Sequence, residues 1–293
     1  MKHNLKLQLS FPELILLAVT LLWGLTFIII HYAVQFSGPF FFVGLRFTVA
    51  TMVLMIATRF TFIRSSAIEW LAGSLIGLAI ALGYGLQTWG MQSITGSQSA
   101  FITAMYVPLV PLLQWLCLKK RPSVMSCIGA LLAFIGLLLL SGGQGIGHLS
   151  RGEVITLFSS VAIAAEIILI SAFVPQVDAK KVTVIQLLMA AVFSYLMMIP
   201  NGETLPTIHP VIGFTAGGLG LASAAIQITM NWAQRTVSPT RATIIYAGEP
   251  VWAGVFGWIA GEYLSVMALS GAALIVAGVV VSELKLSRGK GSV

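Results

Sequence analysis

Charge is scarce in this sequence, cysteine nearly absent, and the short motifs of hydrolytic, metal and nucleotide chemistry are missing. Aspartate, glutamate, lysine and arginine make up 9% of the 293 residues, against roughly 25% in an ordinary soluble domain. That scarcity excludes a water-soluble globule. It leaves an integral membrane protein, in keeping with 58% hydrophobic residues and a mean hydropathy of +0.97. The two cysteines, Cys117 and Cys127, are too few for a secreted disulfide framework. Both lie in or beside apolar stretches and read as small core residues. No His-Glu-x-x-His, Gly-x-Ser-x-Gly or metal-spaced Cys/His cluster occurs, so no metal or cofactor is expected and hydrolysis has no visible machinery. The glycine-rich run Ser141–Gly147 lacks dinucleotide spacing, a P-loop lysine and a preceding strand. It reads as a flexible outer linker. The net charge of +7 sits in short loops rather than on one basic face, which excludes nucleic acid as a partner.

Apolar windows of about twenty residues are plentiful. They predict ten spans: 11–34, 39–58, 70–91, 96–118, 123–141, 152–174, 182–200, 210–234, 239–260 and 265–284. The first run is preceded by Lys2 and Lys6 but is too long for a signal peptide and has no small-residue cleavage pattern, so it is expected to stay as a span. With the N-terminus in the cytoplasm, fourteen of the sixteen lysines and arginines fall on the cytoplasmic side, Arg151 falls outside and Arg46 lies within a span. The positive-inside rule therefore predicts a multi-pass protein of the cytoplasmic membrane with both termini cytoplasmic.

The chain also repeats itself. A shift of 142 residues pairs 92–140 with 234–282 without a gap and matches Gln92/Gln234, Pro108/Pro250, Ser123/Ser265, Gly129/Gly271 and Gly136/Gly278. A shift of 140 pairs Glu13 with Glu153 and a series of apolar residues behind them. The unit is five spans long, and an odd number forces the second copy to enter the membrane in the opposite sense. The predicted fold is an all-α membrane protein of ten transmembrane helices arranged as two inverted five-helix repeats. The first repeat covers 11–141, an outer linker 142–151, the second repeat 152–284, and a cytoplasmic tail 285–293.

Certain residues carry a resemblance across nearly the whole chain. They are Trp23-Gly24 with Phe27, Pro39 followed by Arg46, and the run from Pro250 through Gly261-Glu262 to Gly271-Ala272-x-Leu274-Ile275-x-x-Gly278. Together with the doubled five-span unit, they resemble the EamA-like branch of the drug/metabolite transporter superfamily. The first half has Lys119-Lys120 where that family often has Gly-Glu, which favours a structural or interfacial role for Glu262. The resemblance implies a secondary transporter for a small metabolite, an amino acid or related amphipathic solute, with export favoured and alternating access as the mechanism.

The candidate site residues are polar groups inside apolar spans. A glutamate near the middle of a membrane-length segment is expensive unless neutral, paired or wetted, so it is read as functional by default. Glu249 is the first candidate for a substrate amine or a proton, with Tyr246 about one turn before it. The bland alternative is a locked structural acid paired with a neighbour such as Arg46 or capped by freed backbone. Glu166 is the second buried acid, and small residues around it suit helix packing equally. Arg46 reads as a structural anchor, supported by its place in the resemblance. Gln227 and Asn231, spaced i, i+4, form a stripe that either meets the solute or joins helices. Tyr84 and Gln87 share a face, and Trp23 and Thr26 complete an amphipathic wall, although membrane aromatics are more often packing groups. Pro108, Pro111 and Pro250 are candidate gating kinks, with a fixed kink as the alternative. Glycines 73, 77, 83 and 85 and glycines 213, 217, 218 and 220 are read as close-packing positions, and His31, His148 and His209 as interface residues. The glycine-containing spans five and ten allow a homodimer. The competing function is an intramembrane enzyme acting on lipid-linked substrates with Glu249 as general acid or base, which needs a positioned partner.

Overall fold

The computed structural model describes residues 10–118, 124–140, 149–207, 209–237 and 239–282. Among them run twelve α-helices: α1 Phe11–Ala33, α2 Pro39–Ala57, α3 Ala67–Gly90, α4 Gly96–Thr103, α5 Tyr106–Leu118, α6 Val124–Leu140, α7 Arg151–Phe173, α8 Ala179–Met198, α9 Pro210–Ala233, α10 Pro239–Tyr246, α11 Glu249–Ile259 and α12 Val266–Ser282. Seven stretches are long and apolar enough to cross a membrane, counting α4 with α5 as one. The exterior is as apolar as the interior: Phe158, Phe214 and Trp258 are more than half exposed. An exposed apolar coat of this extent is stable only in lipid. The protein is a multi-pass helical membrane protein.

Six of the described charged side chains are buried: Glu13, Arg46, Glu69, Glu153, Glu166 and Glu249. Three of them are explained by helix starts. Glu13 Oε2 accepts from the Ser10 N–H at 2.6 Å, Glu69 Oε2 from the Ser66 N–H at 2.6 Å, and Glu153 Oε2 from the Ser150 N–H at 2.7 Å. Each is the acid of a Ser-x-x-Glu capping box, which satisfies backbone donors that a helix leaves open. The Glu13/Glu153 match found in the sequence is thus a repeated helix cap. Arg46, Glu166 and Glu249 remain as charges that no helix cap of this kind explains.

Contacts define two ends of the bundle. At the basic end, Lys181 Nζ donates to the Arg64 carbonyl at 2.9 Å and lies 3.8 Å from Glu69. α1 begins at this end, where Phe11 meets Trp232 edge-on at 6.3 Å. α7 begins at the far end, where the Arg151 guanidinium lies 5.2 Å from the Trp89 ring. There Glu203 accepts from the Phe40 and Phe41 N–H groups at 3.1 and 2.9 Å, and Glu262 accepts from those of Gly96 and Ser97 at 2.9 and 3.0 Å. Each acid comes from the second half of the chain and caps a helix of the first. Glu262 is therefore interfacial, and it sits at the N-terminus where the helix dipole favours an anion.

Glycine placement bears out the packing expectation on α3 and corrects it on α9. On α3, a side chain at Gly73 or Gly77 would run into Ile185, Gln186 and Met189, so these glycines do pack against α8. On α9 only Gly220 packs, against Val49 and Arg46, while Gly213, Gly217 and Gly218 have open space around them. Gly218 lines a hollow of about 390 Å³ against α1, together with Leu22, Leu25, Ile29 and Phe214 among others. Spans five and ten, α6 and α12, pack on each other within one chain: a Cβ at Gly136 would lie 2.6 Å from the Gly271 carbonyl, and one at Gly278 would lie 2.6 Å from that of Gly129. Their glycine faces are already filled. Cys127 is exposed on α6 rather than in the core, and the side chain of Cys117, like His148 and the Ser141–Gly147 linker, lies outside the described residues. His31 and His209 lie at the far end, where His31 Nδ1 is 3.1 Å from the Met91 carbonyl and His209 stacks on Phe36 at 4.5 Å.

Candidate functional site

The expected continuous spans 96–118 and 239–260 are each broken in two. α4 stops at Thr103 and α5 starts at Tyr106, and α10 stops at Tyr246 and α11 starts at Glu249. A proline lacks the N–H that would bond the carbonyl four residues back, and its ring crowds that carbonyl. For Pro108 and Pro250 those carbonyls belong to Ala104 and Tyr246, at the two breaks. The backbone there tightens instead of unravelling: Met105 N–H donates to the Ile102 carbonyl at 3.0 Å and Gly248 N–H to that of Ile245 at 3.1 Å. Pro108 and Pro250 therefore occupy the first turns of new helices, where a missing N–H costs nothing. They are not kinks within continuous helices, and only Pro111 lies inside one.

The breaks meet at a narrow cavity lined by Trp23, Thr26, Phe27, Tyr84, Gln87, Thr103, Tyr106, Ile163, Glu166, Ile167, Met230, Tyr246 and Glu249. Seven candidates from the sequence thus share one wall: Trp23, Thr26, Tyr84, Gln87, Glu166, Tyr246 and Glu249. Both halves of the chain contribute. Glu249 is the first residue of α11, so its carboxylate sits at a positive helix end rather than mid-helix, which lowers the cost of placing it there. Tyr106 Oη donates to Glu249 Oε2 at 3.3 Å. Gln87 Nε2 donates to Thr103 Oγ1 at 3.1 Å, and Gln234 Nε2 donates to Tyr246 Oη at 3.1 Å. The Trp23 ring meets Tyr246 edge-on at 5.1 Å. α1 comes close enough to place Trp23 because Gly24 has no side chain: a Cβ there would lie 2.5 Å from that of Trp252 on α11.

Gln227 and Asn231 do not reach the cavity. They stand behind Glu166 in a buried chain between α8 and α9. Gln227 Nε2 donates to Glu166 Oε1 at 3.0 Å, and Gln186 Nε2 donates to Gln227 Oε1 at 2.8 Å. Asn231 Nδ2 then donates to Gln186 Oε1 at 2.9 Å and to Thr183 Oγ1 at 2.6 Å.

Arg46 is fully buried but does not pair with Glu249, which corrects that alternative. Its Nε donates to Ser223 Oγ at 2.6 Å, and its guanidinium carbon lies 5.5 Å from the Phe47 ring and 5.4 Å from the Tyr84 ring. The two aromatic faces supply attraction for the cation, and Tyr84, unlike Arg46, also lines the cavity. Nη1 has no hydrogen-bond partner among the described residues.

Sequence reasoning missed Thr103, Tyr106, Gln186 and Thr183. Tyr106 had a signal: it precedes Val107, the repeat counterpart of Glu249. Thr183 and Gln186 had none, because isolated polar residues in an apolar span do not reveal which way they face.

The cavity offers two carboxylates, three tyrosine hydroxyls, an amide, two threonines and an indole, and among the described residues no lysine, arginine or histidine lines it. This set suits a hydrogen-bonded, positively charged guest, since carboxylates and aromatic faces both attract cations. Its volume is about 20 Å³, room for about one water molecule. A larger hollow of about 770 Å³ opens at the basic end, with Phe11, Asp178, Lys180, Trp232 and Arg235 on its wall, and it holds none of the predicted site residues.

An apolar helical bundle with a polar, acid-bearing cavity lined by both halves of its chain is a polytopic membrane protein with an internal polar cavity. The profile of the EamA-like transporter family matches residues 10–142 and 150–284. The chain belongs to the EamA-like transporter family. It is 29% identical over 281 residues to an uncharacterized transporter of Archaeoglobus fulgidus, covering 94% of this chain and 87% of that protein. It is 27% identical over 277 residues to the uncharacterized inner membrane transporter YedA of Escherichia coli K12, covering 92% and 89%. A solved crystal structure shares the fold with a TM-score of 0.65 at 20% identity, covering 92% of this chain and 96% of that one.

Proposed function

We propose that this protein is a secondary transporter that carries a small metabolite bearing a positive amine across the cytoplasmic membrane. It does so by alternating access, with export as the working direction. In this reading the twelve helices make ten spans, α4 with α5 and α10 with α11 each counting once, and the two five-span halves are inverted. The opposite starting ends of α1 and α7 support the inversion, and the inner-membrane relative supports the location. The basic end is cytoplasmic, with both termini, by the positive-inside rule.

The observation that carries the reading is the placement of Glu166 and Glu249 on the wall of one narrow cavity built by both halves. At about 20 Å³ the cavity is far smaller than the few hundred Å³ of a ligand site, so the present state is occluded and the halves must part to admit a solute. The interrupted helices are the parts fitted to move, as in other transporters whose sites form at broken spans. The 3.3 Å hydrogen bond between Tyr106 and Glu249 then links the two breaks across the halves. An intramembrane enzyme needs a cleft open to lipid beside Glu249, and a narrow cavity built by both halves supports transport better. A homodimer formed through spans five and ten would use the outward faces of α6 and α12.

The test is flux in proteoliposomes. Amino acids and amines that raise the melting temperature of the purified protein, as any ligand of the folded state must, are assayed as solutes across a pH gradient. The reading expects Glu249→Gln and Glu166→Gln each to change the pH dependence of flux. Unchanged pH dependence in both variants rejects coupling through these acids, and absence of flux for every stabilising solute rejects the transport reading.

A further inference from the structure

The chain of amides behind Glu166 has an order that can be reversed by turning its amide groups over in place. Asn231 donates to Gln186, Gln186 to Gln227, and Gln227 to Glu166, at 2.9, 2.8 and 3.0 Å. Each link points its N–H at the next oxygen, so in this order Glu166 is an acceptor, as an ionised carboxylate must be. An amide's nitrogen and oxygen occupy nearly the same positions when the group is turned over. If all three amides turn, Glu166 donates a proton to Gln227 Oε1, Gln227 Nε2 donates to Gln186 Oε1, and Gln186 Nε2 donates to Asn231 Oδ1. Thr183 then donates its hydroxyl to Asn231 instead of to the Ala179 carbonyl, which it now meets at 2.6 Å. One atom of Asn231 lacks a partner in either order: Oδ1 is the unpartnered atom in the present one, and Nδ2 takes its place in the other. The two orders therefore satisfy the same number of amide groups.

We propose that Gln186, Gln227 and Asn231 are positioning residues that let Glu166 take up and release a proton at constant geometry. This rests on the transport reading, in which Glu166 exchanges protons during the cycle. The need is physical. A buried carboxyl that loses a hydrogen bond when it changes protonation meets a penalty for the group left unmade, and a reversible chain removes it. A fixed donor, such as a backbone N–H, favours the ionised form and offers no acceptor for the proton of the neutral one. The other titratable or charged groups around Glu166 are Tyr84 on α3, Tyr106 on α5, Tyr246 on α10, Glu249 on α11 and, against Tyr84, Arg46 on α2. None of them bonds to the amide chain.

A carboxylate at the far end locks the order. Once ionised, it has no proton to donate to Gln186, so Asn231→Asp turns the chain toward the order in which Glu166 carries its proton. The readout is infrared difference spectroscopy of the purified, lipid-reconstituted protein between pH steps, with the Glu166 carboxyl band assigned by its loss in Glu166→Gln. The expected result is that Asn231→Asp moves the pH at which this band appears upward by roughly one unit or more. Adding Gln186→Met, which keeps the charge but cuts the chain, should remove most of that shift. Melting curves establish that each variant is folded. If Asn231→Asp does not fold, Gln186→Glu takes its place, with Gln227→Met as the cut. A shift that survives the cut is simple charge repulsion and overturns the proposal. So does an unchanged midpoint, or a Glu166 band that never titrates. Solute flux is not the readout, so failure of the transport reading and failure of the chain are separately visible.

Discussion

The chain interrupts α4–α5 at Ala104–Met105 and α10–α11 at Ala247–Gly248, both just upstream of a matching proline, yet the residue before that proline is Val107 in the first case and Glu249 in the second. The shape was duplicated and the charge was not. Val107 is buried but contributes nothing to the cavity wall, whereas its neighbour Tyr106 does and reaches across to Glu249. A break that looks symmetric in the backbone therefore presents an acceptor from one half and a donor from the other. Matching breaks in the two halves shape the cavity, and unequal side chains set its chemistry.

The comparison is broken most directly by moving the acid. The double variant Val107→Glu with Glu249→Val keeps composition and net charge, yet transport should fall at least about tenfold, corresponding to about 1.4 kcal/mol, because the new carboxylate is off the cavity wall. Restored flux in proteoliposomes would show that the acid's position does not matter. Glu249→Gln alone should insert and melt normally while losing a similar share of flux; a degraded product would instead assign the acid to folding.

Next in size are the prolines. Pro108→Ala and Pro250→Ala each return an N–H that can bond the Ala104 or Tyr246 carbonyl once the break closes into one continuous helix, and the closed form then gains about 1 kcal/mol. Each should raise the melting temperature slightly and slow transport several-fold, on the order of 1 kcal/mol in the barrier. If only Pro250→Ala slows it, the two breaks do not move together. The smallest effect is expected for Tyr106→Phe, which removes one long hydrogen bond to the acid. A loss of about 0.5 kcal/mol corresponds to roughly a twofold rise in the solute concentration needed for half-maximal flux. No change there would leave Glu249 independent of the first half.

Much of the fold was legible because lipid imposes a coarse rule: long apolar runs cross, charges stay at the ends. The window 210–234 became α9 at Pro210–Ala233. α3 and α8 start earlier than their windows, at Ala67 and Ala179, because Ser66 and Asp178 cap them and a cap lies in polar sequence that hydropathy ignores. The breaks in α4–α5 and α10–α11 were invisible for the opposite reason, since a tightened turn leaves the apolar run intact. Within the site, Glu166 and Glu249 stood out as charges where lipid forbids them. Gln227 and Asn231 stood out equally and face the other way, because spacing of i, i+4 shows which residues share a face but not what that face meets. Gly217 and Gly218 were misread similarly: a glycine permits close approach, and only a neighbour makes it happen.

The central claim is that one cavity faces both sides of the membrane in turn. A single cysteine introduced by Thr103→Cys, in a Cys117→Ser and Cys127→Ser background, places a thiol on the cavity wall. Its reaction with a membrane-impermeant thiol reagent is then compared in right-side-out and inverted vesicles, with Phe158→Cys on the lipid-facing surface as the unreactive control. The account predicts labelling in both vesicle orientations. Labelling from one side alone would contradict alternating access and return the protein to the class of one-sided clefts.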